Sequence, residues 1–115
     1  MTMHIDDYRF GEIVINDKHY YSDVIVHPDR VDPSWWRRKG HYLSEEDVSG
    51  IAVAKPAILI IGTGQSGAME VPESTVDFLE SHGITVHVEK TGQAVKLFNK
   101  QPNDKIVIGA FHLTC

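Results

Sequence analysis

Cysteine is almost absent: the one residue of its kind, Cys115, stands at the last position, so no disulfide can form within the chain and the fold must be held by packing. Long apolar runs are absent too. The longest, Ala57 to Ile61, falls far short of the roughly 20 residues that cross a bilayer, which predicts no membrane insertion. Positive charge is scarce, with 11 Lys and Arg against 16 Asp and Glu and a net charge of −5. Such a field repels phosphate backbones and argues against nucleic acid as a partner. The opening Met1 to Asp7 has neither the basic and apolar regions of a secretory signal nor the arginines of a transit peptide, so a cytoplasmic setting is expected. No repeat, low-complexity tract or linker-like stretch divides the chain, and residues 1–115 are expected to form a single α/β domain.

What is present is ordinary globular material, 42% hydrophobic and 23% charged. The first third reads as short strands: Tyr8 to Ile15 carrying Phe10, Ile13 and Ile15, a turn at Asn16-Asp17, then His19 to Tyr21 and Val24 to Val26, an N-terminal β-hairpin or meander. Prolines at 28 and 33 predict an irregular surface segment from His27 to His41. Ser44 followed by Glu45, Glu46 and Asp47 predicts a capped short helix that turns Val48, Ile51 and Ala52 inward and stops at Pro56. The alternation is then clear: a buried strand at Ala57 to Ile61, a helix opening at Pro72 with Val76 and Leu79 on its apolar face, and a strand at Ile84 to Val88. A helix capped by Thr91 with an Ala94, Leu97, Phe98 stripe and a last strand at Ile106 to Phe111 complete it. The strands at Ile58 and Ile84 should lie side by side and parallel, because a helical crossover joins them.

The segment Gly62-Thr63-Gly64-Gln65-Ser66-Gly67 satisfies G-x-G-x-x-G after a buried strand, with Glu89 at the end of the next strand, the outline of a dinucleotide fingerprint. That chemistry needs the last glycine in the first turn of a helix, where amides and dipole meet the pyrophosphate. Here Ala68 to Val71 separate Gly67 from Pro72, and Glu70 would repel a phosphate. The glycines are therefore read as serving the backbone of a long loop, and no cofactor is assigned. Trp35-Trp36-Arg37-Arg38-Lys39 concentrates both tryptophans and three cations; Trp36 and Arg37 are candidates for a partner- or anion-binding surface, against the alternative that one tryptophan closes the core while the arginines pair with acids. Glu89 and Thr91 neighbour the glycine loop at the carboxyl edge of the sheet, although Thr91 also suits a capping role. His112-x-x-Cys115 is the closest metal-like spacing; two ligands make no site, and none is assigned.

Lys55-Pro56, Ile58-Leu59-Ile60-Ile61-Gly62-Thr63-Gly64, Glu89-Lys90-Thr91 with Ala94 and Asn99, and the ending Ala110 to Cys115 together resemble a family of small uncharacterised proteins found in archaea, bacteria and mitochondria. One mitochondrial branch is an assembly factor for respiratory complex I, and an animal branch is associated with adipogenesis. The resemblance implies a three-layer fold around a central mixed sheet, with the last strand antiparallel to its neighbours, and it carries over no catalytic residue. The reading from sequence is a non-enzymatic protein-interaction or assembly module that binds an unidentified protein through Gly62 to Gly67, Trp36 and Arg37. Homo-oligomerisation is left open. The alternative is a small-molecule-binding domain or enzyme that uses Gly62, Thr63, Gly64, Gln65, Ser66, Gly67, Glu89 and Thr91 around an anionic ligand.

Overall fold

The computed structural model describes residues 3–115; Met1 and Thr2, the first residues of the segment read for targeting, lie outside the described part. Among the described residues eight strands and three α-helices follow one another: β1 (Ile5–Arg9), β2 (Glu12–Ile15), β3 (Lys18–Tyr20), β4 (Val24–Val26), β5 (Val31–Asp32), α1 (Ser49–Ala54), β6 (Ile58–Gly62), α2 (Glu73–Glu80), β7 (Thr85–Glu89), α3 (Thr91–Asn99) and β8 (Val107–Phe111). The first three form an antiparallel meander, and the others a five-stranded sheet in the order β5-β4-β8-β6-β7.

β6 lies between β8 and β7, and its five residues are all buried, which only a strand covered on both faces can be. Successive side chains alternate between the two cores. Leu59 and Ile61 face Leu43, Val48, Ile51, Met69 and Leu79, under α1 and α2. Ile58 and Ile60 face Ile5, Ile13, Ile15, Ala94 and Phe98, under α3 and the meander. The result is three layers around a mixed sheet, as the resemblance implies, with the helices packed on the sheet that the residue pattern predicts. The two outer layers are tied in by specific bonds as well as by packing. Asn99 on α3 both accepts from the Ile5 amide and donates to its carbonyl, at 2.9 and 2.8 Å.

Several expectations are corrected. β8 runs parallel to β6, Ile58 opposite Val107 through Gly62 opposite Phe111, so the last strand continues the parallel run. The sheet is mixed because β4 pairs antiparallel with β8. Tyr8 to Ile15 is two strands, not one, since Gly11 turns the chain at φ +80° and leaves Phe10 54% exposed. Pro72 is the cap before α2 (ψ 152°), and Thr75, not Val76, joins Leu79 on the buried face. Lys90 precedes α3 in extended conformation, and Thr91 is its first residue rather than its cap. The segment from 27 to 41 is not all surface: it holds β5 and buries Trp35 and Arg37.

Ser44 does cap as its spacing implies. Its hydroxyl oxygen accepts from the Asp47 amide at 3.4 Å while the Asp47 carboxylate accepts from the Ser44 amide at 3.0 Å, a reciprocal box. What it opens is a single 3-10 turn, Glu46–Val48, that runs into α1. Helix α1 ends at Lys55, which takes the left-handed conformation at φ +50° that usually falls to glycine.

Candidate functional site at the carboxyl edge of the sheet

β6, β7 and β8 end on the same edge of the sheet, and β4 begins there, since Val24 pairs with Phe111. That topology brings together the glycine loop after β6, Glu89 after β7, His112 after β8 and Asp23 before β4.

The glycine loop is packed from within. The Gly64 amide donates to the Thr91 hydroxyl at 2.8 Å, the Gln65 amide to the Thr114 carbonyl at 2.7 Å, and the Ala68 amide to the Cys115 carbonyl at 2.9 Å. The Thr63 amide bonds the Glu89 carbonyl at 2.9 Å, so Glu89 meets this loop through its backbone. Ser66 adds its hydroxyl to the Cys115 carbonyl at 2.7 Å. These are the amides that a pyrophosphate would need. They serve Glu89, Thr91, Thr114 and Cys115 instead, and are engaged within the chain rather than turned to a phosphate.

Glycine is required here by close approach. A Cβ on Gly64, at φ +108°, would stand 2.2 Å from the Cys115 carbonyl carbon and 2.9 Å from His112 Cδ2. On Gly62 it would stand 2.8 Å from the Thr91 hydroxyl. Thr91 itself is fully buried and completes the junction by donating to the His112 carbonyl at 2.6 Å. One threonine thus joins the loop, α3 and the end of β8.

Beneath the loop lies a group that sequence reading did not assemble. Asp23 Oδ2 accepts from Arg37 Nη2 at 2.7 Å and from His112 Nδ1 at 2.8 Å, and Oδ1 accepts from the Leu113 amide at 2.7 Å. Arg37 Nη2 and His112 Nδ1 are 3.2 Å apart, as two donors converging on one oxygen must be. Facing the carboxylate, Nδ1 carries the ring proton. The guanidinium is anchored further by the Gly40 carbonyl, at 3.0 Å from Nη2, and lies 4.5 Å from the centre of the Trp35 ring. Burial alone would raise the Asp23 pKa; the bonds from His112, the Leu113 amide and Arg37 outweigh it and bring it down to about 2.

Three buried side-chain atoms among the described residues have no hydrogen-bond partner within the protein, and all belong to this group: Trp35 Nε1, Arg37 Nη1 and His112 Nε2. An unsatisfied buried polar atom costs about 1–3 kcal/mol. Their concentration around one carboxylate is the most unusual feature of the molecule. His41, exposed on the segment above, sets its ring edge-on to His112 with centroids 5.4 Å apart.

The sequence candidates therefore separate. Gly62, Thr63, Gly64, Thr91 and Arg37 are buried, Gly67 is half-buried, and Gln65, Ser66, Glu89 and Trp36 are exposed. Arg37 does approach the glycine loop, through His112, although the two segments are remote in sequence. Trp36 points the other way, 76% exposed beside a Trp35 that is 7% exposed. Asp23 and His41 were missed, and His112 was weighed only as a metal ligand. The available signal was a polar residue just before the apolar run Val24 to Val26, and the inward and outward alternation open to an extended Trp35 to Arg38.

A three-layer domain of this kind, with a mixed sheet, an antiparallel meander on one face and a polar cluster at its carboxyl edge, defines a class of small α/β proteins. The chain belongs to the family described as protein of unknown function (DUF498/DUF598), whose match spans residues 5–112. Among solved structures it is similar to a conserved hypothetical protein from Pyrococcus horikoshii, with 25% identity and a TM-score of 0.83, covering 98% of this chain and 100% of that one. It is similar to a protein named MT938 at 29% identity and a TM-score of 0.80, covering 99% and 100% of the two chains. An Mth938-like domain from Bordetella pertussis, at 19% identity and a TM-score of 0.73 over 96% and 85% of the two chains, shares the fold. No helix of the described residues is long and apolar enough to cross a membrane.

Proposed function

We propose that this protein is a non-enzymatic interaction module, cytoplasmic in setting, that docks onto a protein partner through the surface around Trp36. The observation that carries this reading is the exposure of that indole, 76%, in a segment fixed on both sides by the buried Trp35 and Arg37. A tryptophan held out on an ordered backbone offers large contact area at little conformational cost, the property of interface anchors. Tyr42, 39% exposed with Lys39 over its ring at 5.9 Å, lies on the same segment. It lines a groove of about 620 Å³ with Arg38, Lys39, Ser44 and Glu45 to Asp47. Both charge signs border that groove, which suits a mixed-charge protein surface better than a polyanion. The assembly role implied by the family resemblance agrees with this reading. Of the glycine loop only Gln65 and Ser66 are exposed enough to join such a contact.

Tagged wild-type protein and Trp36→Ala, compared in affinity capture from host extract, test the proposal. The variant is expected to fold as the wild type does and to lose a partner that the wild type retains. Equal capture by both would remove Trp36 as the anchor. In parallel, NAD, FAD and nucleotides are expected to leave the melting temperature unchanged, since a ligand stabilises only what it binds.

A further inference from the structure

We propose that the Asp23, Arg37 and His112 cluster, roofed by Gly64 and edged by His41, is a binding site for a small monovalent oxyanion, in the first instance a carboxylate. The site is separate from the Trp36 surface and does not depend on it. Two of its unpartnered atoms, Trp35 Nε1 and Arg37 Nη1, can only donate hydrogen bonds. The third, His112 Nε2, carries a lone pair while Nδ1 holds the ring proton toward Asp23 at 2.8 Å, so the free donors are the indole and the guanidinium. Donors without acceptors call for lone pairs, and an oxyanion supplies them. Arg37 supplies the fixed positive charge of the site, with Asp23 held against one edge of its guanidinium at 2.7 Å.

The donors share one small region. Trp35 lies against the Arg37 guanidinium at 4.5 Å, and Arg37 Nη2 is 3.2 Å from the His112 ring. The walls of the site are set in different ways. On the loop side the backbone of Gly64 is pressed on the imidazole, where even a methyl group would come within 2.9 Å of Cδ2. On the other side stands the exposed His41 ring, edge-on to His112. Two further titratable groups lie close to the cluster: Tyr8 on β1, which donates to the Leu113 carbonyl at 2.9 Å and whose pKa is raised by burial and by the Asp23 charge, and Asp47, which feels the Arg37 charge.

The two tryptophans provide the measurement. Acetate and inorganic phosphate are titrated separately into labelled protein at constant ionic strength while the indole N–H signals of Trp35 and Trp36 and the His112 ring nitrogens are followed by NMR. The expected result is a saturable shift of Trp35 and His112 with Trp36 unmoved. A stronger response to acetate assigns the site to carboxylic acids, and a stronger one to phosphate assigns it to phosphate esters. Arg37→Lys keeps the charge and loses the planar fork, and should weaken the response at least about tenfold. Where that variant fails to fold, Trp35→Phe removes one donor and leaves the ion pair intact; the His112 shift should then need a higher anion concentration. The proposal is overturned if neither anion moves Trp35 and His112, if both indoles move together, or if a folded Arg37→Lys or Trp35→Phe responds as the wild type does.

Discussion

The glycine loop, residues 62–67, and the tryptophan segment, residues 35–38, pose the same question in opposite ways. The loop carries the pattern of a ligand-binding motif and is filled by its own chain: its amides reach Glu89, Thr91 and Thr114, and its Ser66 hydroxyl reaches Cys115. The segment has no motif, yet its alternating residues divide between roles, Trp35 and Arg37 buried beside Asp23 and His112, Trp36 and Arg38 exposed. The comparison teaches that a glycine pattern reports a backbone constraint before it reports a ligand. Where side chains go depends on what the neighbouring strands place beneath them.

The sharpest way to break this comparison is to remove the carboxylate under the segment. Asp23→Ala leaves Arg37 buried without its partner at 2.7 Å and takes the acceptors from His112 and the Leu113 amide. Stability in urea should fall by about 3–5 kcal/mol. A loss below about 1 kcal/mol would show that the cluster is not what fixes the segment.

The next largest effect belongs to the loop. Gly64→Val combines left-handed backbone, φ +108°, with a backbone contact that cannot yield, Cys115 at 2.2 Å. A cost of roughly 2–4 kcal/mol is expected. Gly67→Ala, whose new methyl meets the flexible Lys90 side chain at 3.2 Å and the Thr63 hydroxyl at an ordinary 3.6 Å, should cost about 1 kcal/mol, mostly from its φ of +79°. If the two glycines proved equal, conformation alone and not close approach would explain the loop.

Acid titration should sharpen the comparison further. The Asp23 pKa is about 2 in the folded state against 3.8 ordinarily, so the unfolded chain binds the proton more readily. The stabilisation from this group, about 2 kcal/mol, is complete above the ordinary value and is lost as pH falls from there through the folded value. Equilibrium unfolding of wild type and Asp23→Asn between pH 7 and 2 should show the gap between them close as pH falls. A constant gap would mean that the carboxylate's charge is not the source.

The smallest effects are expected where each region meets solvent. Ser66→Ala removes one exposed bond to the Cys115 carbonyl and should cost about 0.5 kcal/mol or less. Trp36→Ala should change the melting temperature as little, while altering partner capture. A destabilisation comparable with that of Asp23→Ala would make Trp36 a structural residue.

Much of the fold was legible because local chemistry and tertiary demand agreed. The run at 57–61 reads as a buried strand since five consecutive apolar residues suit only a strand covered on both faces, and β6 is that strand. The spacing of Ser44 and Asp47 fixed a capping box by itself, because both partners lie within one turn. The Phe10-Gly11 turn was hidden inside an apolar pattern, and only hydrogen bonding between β1 and β2 reveals it.

By itself, then, the sequence determined the α/β class, the parallel pairing of the buried β6 with β7, and the need for glycine after β6, since all of these rest on contacts within or between adjacent segments. Tertiary structure alone decided the direction and place of β8, because strand order is set by which edge a crossover reaches. It alone decided that Thr91 joins the loop to His112 instead of capping α3. The cluster was its work as well: Asp23 and His112 are 89 residues apart in the chain, and only the antiparallel pairing of β4 with β8 carries a carboxylate to an imidazole across that distance.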